Sequence, residues 1–282
     1  MSIELTALYA PKTDELFKAE SKLSLLTNTD YDWTGAHSIK LWKINTAEMN
    51  DYARNRSAVD LESAESISRY GRLIDLNAQT EELILKKDRS FIFNIDTLDK
   101  DETVRQLEEE SALGRQIREV VIPEIDKYVY NVMANGAGKV AEPLTLTKEN
   151  VYAAILAGSE HLDDCEVPDT ERVLLVTPGV YTLLKQSTQF DNTDVGADMK
   201  LRGVVAVLDG MNVIKVPSVR LPDKFGFMIV HPSATTAPVK LEDYGTHENT
   251  PLSSGTIVTG RICYDAFVLD NKKDGLYYQA IL

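Results

Sequence analysis

Four short stretches of this sequence hold residue types that could do chemistry. Gly136-Ala137-Gly138-Lys139 has the composition of a phosphate-cradling loop, in which backbone N–H groups and a lysine hold phosphate oxygens. The complete pattern needs glycine five residues before Gly138 and Ser or Thr after the lysine. Met133 and Val140 stand there instead. The stretch also ends a helical pattern, whereas a phosphate loop follows a strand, so it reads as a helix terminator. Asp96, Asp99, Asp101 and Glu102 are the kind of cluster that holds a hard cation. The spacing and glycine of a calcium loop are absent, and capping of the following helix accounts for the acids. Lys86, Lys87 and Arg89 precede Phe91 and Phe93, as in a basic–aromatic nucleic-acid patch, but Glu81, Glu82 and Asp88 flank them. A solvated strand edge is the better reading, since lysine on an edge resists unwanted pairing.

The histidines are His37, His161, His231 and His247, and no two of them share a metal-ligand spacing. His161-Leu162-Asp163-Asp164-Cys165 is the nearest approach to a Cys–His site, at the end of a polar helix. The sequence places no base beside that thiol. Cys165 and Cys263 lie far apart and read as two reduced thiols. No Gly-x-Ser-x-Gly elbow occurs. No catalytic, cofactor-binding or metal-ligating set emerges, and a non-enzymatic role is expected.

The bulk properties narrow the classes. The 282 residues are 43% hydrophobic and 26% charged, as in an ordinary globular protein, and suffice for one large domain or two smaller ones. A net charge of −14 argues against a duplex-binding protein, because phosphate contact needs clustered Lys and Arg. No apolar run approaches the ~20 residues of a membrane span. Met1-Ser2-Ile3-Glu4 lacks a secretory signal's basic and apolar regions.

Architecture says more than chemistry does. Thr13 begins a short helix carrying Leu16, Phe17, Ala19, Leu23 and Leu26. A long polar excursion follows from about Tyr31 to Asp96. Its outgoing strand is Ser38–Ile44; Leu83-Ile84-Leu85 and Phe91–Ile95 return. A two-stranded arm cannot stabilise itself in water, so another copy of the chain is expected to cover it. Thr103 to Ala134 then reads as one long helix, capped from Asp99 and kinked or split at Pro123. Residues 139–222 alternate helical and strand signals. A helix runs from a Thr147 cap to about His161, and Val173–Val176 is a buried strand. A helix begins at Pro178, and Val204–Leu208 and Val213–Val216 form a hairpin about Asp209-Gly210. Residues 223–282 turn β-rich, with a strand at Phe225–Val230 and a polar loop at Glu242–Pro251. The last long strand is Ile257–Leu269, within an extended stretch from Thr256 of about 45 Å.

This order of parts resembles the major capsid proteins of tailed bacteriophages with the Hong Kong 97-type fold, closest to siphophage capsid proteins of Gram-positive hosts. Carrying the resemblance are Phe17–Lys22, Asn50–Asn55, Asp88–Asp96, Asp101-Glu102-Thr103, Val121–Asp126, Val176-Thr177-Pro178, Val216–Arg220, Ile229-Val230-His231, Arg261–Val268 and Asn271-Lys272-Lys273. They follow the family order over nearly the whole chain. The resemblance implies an α+β fold with an N-terminal arm (1–30), an E-loop hairpin (31–96), a P-domain spine helix (97–138), an α/β A-domain (139–222) and a P-domain β-sheet (223–282). It implies a coat protein that assembles as hexamers and pentamers into an icosahedral head around double-stranded DNA, with no sequence-specific DNA contact, no membrane and no cofactor. The location implied is the virion, and the host cytoplasm before assembly. A separate scaffolding protein, a portal and decoration proteins are the implied partners. Crosslinking between subunits is not predicted. Expected contacts between subunits are Phe17 and Leu23 of the arm, Trp42, Leu83, Leu85, Phe91 and Phe93 of the hairpin, and Tyr244 and His247 of the 242–255 loop. The competing readings are an encapsulin-like shell holding cargo, an α/β enzyme using 139–222, and a monomeric binding module.

Overall fold

A computed structural model describes residues 21–28, 38–44, 49, 51–52, 54, 70, 75, 78–96, 109–187, 204–248 and 254–282. The chain divides into two compact units, Gly35–Ile84 and the remainder. In the first, β1 (Ser38–Ile44) and β2 (Ala78–Ile84) pair antiparallel from Ser38↔Ile84 to Ile44↔Ala78. Among the described residues no third strand joins them. The expected outgoing strand is thus present, but only part of the expected return pairs with it. The apolar run Phe91–Ile95 lies in β3 (Lys87–Asp96), in the larger unit.

A six-stranded sheet forms the centre of the larger unit. Its strands are β4 (Lys139–Ala141), β5 (Val173–Val176), β6 (Val204–Leu208), β7 (Met211–Lys215), β8 (Phe225–Val230) and β13 (Leu276–Ala280), in the order β4-β13-β8-β5-β7-β6. The runs Val173–Val176 and Phe225–Val230 are buried at every position, as expected of strands covered on both faces. Leu175, Met228 and Val230 join a core with Leu26, Val129, Tyr130 and Met133. Leu174, Val176, Phe227 and Ile229 join a second core with Val151, Ile155, Leu162, Val180 and Leu184. Strands β8 and β13 therefore extend the sheet of the α/β region rather than the long-stranded sheet in which the sequence placed them. Their all-apolar pattern fits only a doubly covered position.

The helices follow their sequence signals in part: the helix expected from a Thr147 cap to about His161 runs from Val151 to Asp164, and Thr147 N–H donates to Asn150 Oδ1 at 2.7 Å instead of Thr147 capping it. α1 (Glu109–Gln116) passes through a wide π-turn, Ile117–Val121, into α2 (Ile122–Gly136). Pro123 cannot donate a backbone hydrogen bond, and the wide turn ends immediately before its helix begins, as at many inserted π-bulges. The capping acids Asp99, Asp101 and Glu102, and the residues from Thr103 to Glu108, lie outside the described residues. α3 (Val151–Asp164) and α4 (Pro178–Gln186) cover the second core. Thr177 caps α4 by accepting the Val180 N–H at 3.2 Å. Gly158 of α3 passes so near the sheet that an added Cβ would lie 2.7 Å from Ile229 Cδ1. Asp209 (φ 49°) and Gly210 (φ 73°) turn β6 into β7, the two left-handed residues a type I′ hairpin demands.

A three-stranded sheet, β10-β11-β3, is built from β10 (Val239–Glu248), β11 (Gly255–Tyr264) and β3. Residues Glu242–Glu248, expected as a polar loop, form the edge strand β10; edge positions tolerate charge that an inner strand would not. The expected strand Ile257–Leu269 is broken at Asp265-Ala266, with β12 (Phe267–Val268) pairing β9 (Thr235–Thr236) instead. The break has a local cause. The buried Asp265 carboxylate accepts from Ala266 N–H at 2.8 Å, Lys86 N–H at 2.8 Å and Tyr128 O–H at 2.7 Å. These bonds turn the chain and fix where β3 begins. Burial, then the bond to Asp265, pushes the Tyr128 phenol well above its usual range.

Residues 21–28 lie on the chain's own core. Leu26 is fully buried, and Leu23–Leu25 forms a 3-10 turn rather than the end of a longer α-helix. Asn28 is held from three sides: its N–H donates to Thr235 O (2.9 Å), its Nδ2 donates to Ser233 O (3.2 Å), and it bridges Thr236. That receiving turn depends on His231, whose Nδ1 accepts the Ser233 N–H at 3.3 Å and lies 2.7 Å from Ser233 Oγ. Burial lowers the His231 pKa from 6.5; Arg172 and Lys272 lower it further, against Glu171 and the Thr170 backbone. Below about pH 6.5 the unfolded chain therefore takes up a proton that the folded chain declines, and stability falls as pH drops through this window. Between about pH 7 and pH 5, the wild-type urea midpoint is expected to fall further than that of His231→Asn, which keeps an acceptor for Ser233. Equal declines would show that the imidazole is not responsible.

Candidate assembly surface

The three-stranded sheet presents two faces of different character. Residues directly opposite across antiparallel strands share a face. Phe91, Gly260 and Tyr244 are aligned, as are Phe93, Val258 and Thr246. This face turns inward. Phe91 packs with Val121, Ile262, Tyr264, Ile125 and Tyr128, and Phe93 borders a cleft with Ala112, Arg115, Gln116 and Glu119 of the helix. The rings of Phe91 and Phe93 stack at 6.1 Å, and Phe91 lies 6.2 Å from Tyr244. Gly260 is required here: a Cβ would fall 2.3 Å from the Phe91 ring, which lies across the backbone. The Tyr264 hydroxyl reaches Glu124 at 3.4 Å; burial, then the Glu124 charge, pushes its pKa up to about 12.

The opposite face carries Ser90, Ile92 and Asn94 of β3, Arg261 and Thr259 of β11, and Asp243 and His247 of β10. Arg261 holds Asp88 through two bonds, Nε at 3.0 Å and Nη2 at 2.6 Å, and these keep the Asp88 carboxyl below its usual pKa. Such an exposed pair contributes little stability by itself, but its two parallel bonds fix the orientation of both side chains. Thr259 Oγ1 lies 3.3 Å from His247 Nε2. Ile92 is exposed on this face, at 68%, whereas Ile257, aligned with Asn94 and His247, is 7% exposed. Strict alternation through Phe91-Ile92-Phe93 was the signal for Ile92: two phenylalanines facing in oblige the isoleucine to face out.

The expected contact residues thus divide. Phe91, Phe93 and Tyr244 come together, half-buried against the chain's own helix and sheet. Leu83 and Leu85 are each 4% exposed, already covered within one chain. Leu23 packs on the core and borders a cavity of about 270 Å³ with Ile122, Ile125, Val239 and Tyr264. His247 is exposed on the outer face, away from the aromatic trio. Trp42 stands opposite Thr80 in the β1–β2 ladder. Phe17 lies outside the described residues.

The Gly136–Lys139 loop holds no phosphate cradle. Gly138 N–H donates to Lys273 O at 2.9 Å and Lys139 opens β4, which leaves that loop committed to the sheet. No group of three or more His, Cys, Asp or Glu is placed to hold a metal among the described residues, and no helix there is long and apolar enough to cross a membrane.

No protein-family model and no curated protein matches this chain. Solved structures do. The chain is similar to a structure of Mycobacterium phage Che8, with a TM-score of 0.75 at 15% identity over 98% of this chain and 97% of that one. It is similar to the capsid structure of the cyanophage P-SCSP1u, with a TM-score of 0.74 at 14% identity over 99% and 93%. A virus-like particle from Pyrococcus furiosus is more distant, with a TM-score of 0.54 at 10% identity over 91% of each chain. The α+β fold is accordingly the Hong Kong 97-type fold expected from the sequence.

Proposed function

We propose that this chain is the major capsid protein of a tailed bacteriophage, a non-enzymatic subunit that assembles as hexamers and pentamers into the icosahedral head enclosing the genome. The observation that carries this reading is coverage: 98% and 99% of the chain follow two phage structures from end to end, one of them a capsid. In this reading Gly35–Ile84 is the E-loop, narrower than the 31–96 expected. The 109–136 helix and the three-stranded sheet form the P-domain, and the six-stranded sheet with α3 and α4 belongs to the A-domain.

The physical basis of assembly is repetition of modest contacts. A β1–β2 ladder of two strands is marginal alone and gains order when a neighbouring copy covers it. The outer face of β3 and β11 offers Ile92 amid Ser90, Asn94 and Thr259. Burying one such isoleucine contributes about 1.5–3 kcal/mol. Multiplied around a closed, symmetric shell, contacts of that size produce a stable particle from weakly associating subunits. The net charge of −14 opposes association, so salt is expected to promote it by screening. Scaffolding protein, portal and decoration proteins are the partners such a head would use.

An encapsulin-like compartment is the second reading, supported by the likeness to the Pyrococcus furiosus particle. The lower TM-score favours the phage capsid. The two differ in contents. Particles purified from the native source and analysed by mass spectrometry and nuclease-protected nucleic acid are expected to contain double-stranded DNA and a portal protein. A cargo enzyme with no protected DNA would replace the capsid reading with the compartment.

A further inference from the structure

We propose that His161 and Cys165, at the C-terminal turn of α3, form a two-ligand surface site for a borderline-to-soft divalent metal ion such as zinc or cobalt. The pair is spaced i, i+4 and so shares one helix face. His161 Nε2 lies 3.8 Å from Cys165 Sγ. A tetrahedral ion with metal–nitrogen and metal–sulfur bonds near 2.0 and 2.3 Å spans about 3.6 Å between such donors. Only a few tenths of an ångström separates the two.

Both ligands are held by surrounding structure. The His161 ring is half-buried and lies 6.0 Å from the ring of Tyr277, itself 6% exposed. Cys165 caps the helix: its N–H donates to His161 O at 3.1 Å, and Glu166 N–H returns to Asp163 O at 2.9 Å with Glu166 at φ 56°. A non-glycine residue in that conformation marks a turn fixed by its hydrogen bonds. The thiol itself is exposed. Electrostatics favour a cation there. The negative end of the helix dipole points at the site, and Glu160, Asp163, Asp164 and Glu166 surround it in sequence, all exposed. Asp163 is committed to Arg172 at 2.7 Å, which leaves imidazole and thiolate as the ligands that choose the metal. Thiolate with imidazole selects zinc-like ions over magnesium or calcium. Binding releases the thiol proton to solvent as the sulfur–metal bond forms, and water fills the remaining positions.

The test uses the intact, reduced protein and cobalt(II) chloride alone. One equivalent is expected to produce a thiolate-to-cobalt absorption band that zinc(II) removes by displacement. Cys165→Ser should lose the band and Cys263→Ser should keep it. His161→Gln should require a higher cobalt concentration for half-saturation. Zinc should also slow alkylation of Cys165 by iodoacetamide, read by peptide mass spectrometry on the unmutated chain. Absence of the band, its persistence in Cys165→Ser, an unchanged midpoint in His161→Gln, or alkylation indifferent to zinc would each overturn the site.

Discussion

Replacing residues 46–76 with a two-residue Asn-Gly turn is expected to abolish closed particles while leaving a folded, soluble subunit. The excision spares the β1–β2 ladder, whose last pair is Ile44↔Ala78. It also spares every residue of the two cores on the six-stranded sheet. Circular dichroism and the urea midpoint should stay near those of the intact chain, because the cores that determine them are untouched. Particle yield, by contrast, should drop to nothing: a shell closes only if each copy meets its neighbours through the same contacts every time, and the deletion removes the residues between the two strands of the unit assigned to that role. Particles of normal size from the shortened chain would show that the segment does not build the shell.

The second large effect is on stability. Arg220→Leu is expected to destabilise the subunit by about 3–5 kcal/mol, the cost of leaving a buried charge without its partner. Asp126 and Arg220 are 1% and 6% exposed and joined at 2.7 Å. Ser21 Oγ donates to the same carboxylate at 2.6 Å, so the pair also anchors the N-terminal segment. Burial pushes the Asp126 carboxyl above its usual pKa, against the lowering pull of Ser21 and Arg220. With Arg220 gone only the Ser21 bond still pulls the carboxyl down, its pKa rises further, and the folded chain binds a proton at higher pH than the unfolded chain does. The deficit should therefore shrink as the solution is acidified, since the folded state then binds more protons. Replacing both partners, Asp126→Leu with Arg220→Leu, should recover much of the loss. A single Arg220→Leu variant as stable as wild type would mean that the pair is not held together in solution.

How much of this was legible beforehand depends on how local the governing interaction is. The hairpin at Asp209-Gly210, the helix start at Pro178 and the interruption of the long helix beside Pro123 were readable because one or two neighbouring residues decide each. The run Phe225–Val230 was readable as a strand, but its sheet was not: apolarity on both faces says that a strand is doubly covered, without saying by which partners. Strand β10 was missed because charged residues at an edge resemble a loop. The break at Asp265 was missed because its cause is distant in sequence, the Lys86 backbone and the Tyr128 hydroxyl. The contact residues are the least local of these readings, because a second copy of the chain decides them. Phe91 and Phe93 are half-buried because large rings are covered first within their own chain, while strict alternation turns Ile92 between them outward. Leu83 and Leu85 are likewise buried, each 4% exposed.

The central claim is that this chain builds a shell. Size-exclusion chromatography with multi-angle light scattering, followed by electron microscopy of the leading peak, measures it directly on the intact protein at moderate salt. The account predicts closed particles of uniform diameter in the megadalton range, or rings of five and six copies awaiting a scaffold. A single species at the 31.4 kDa of one chain, unchanged by concentration, salt or an added scaffolding protein, would contradict it.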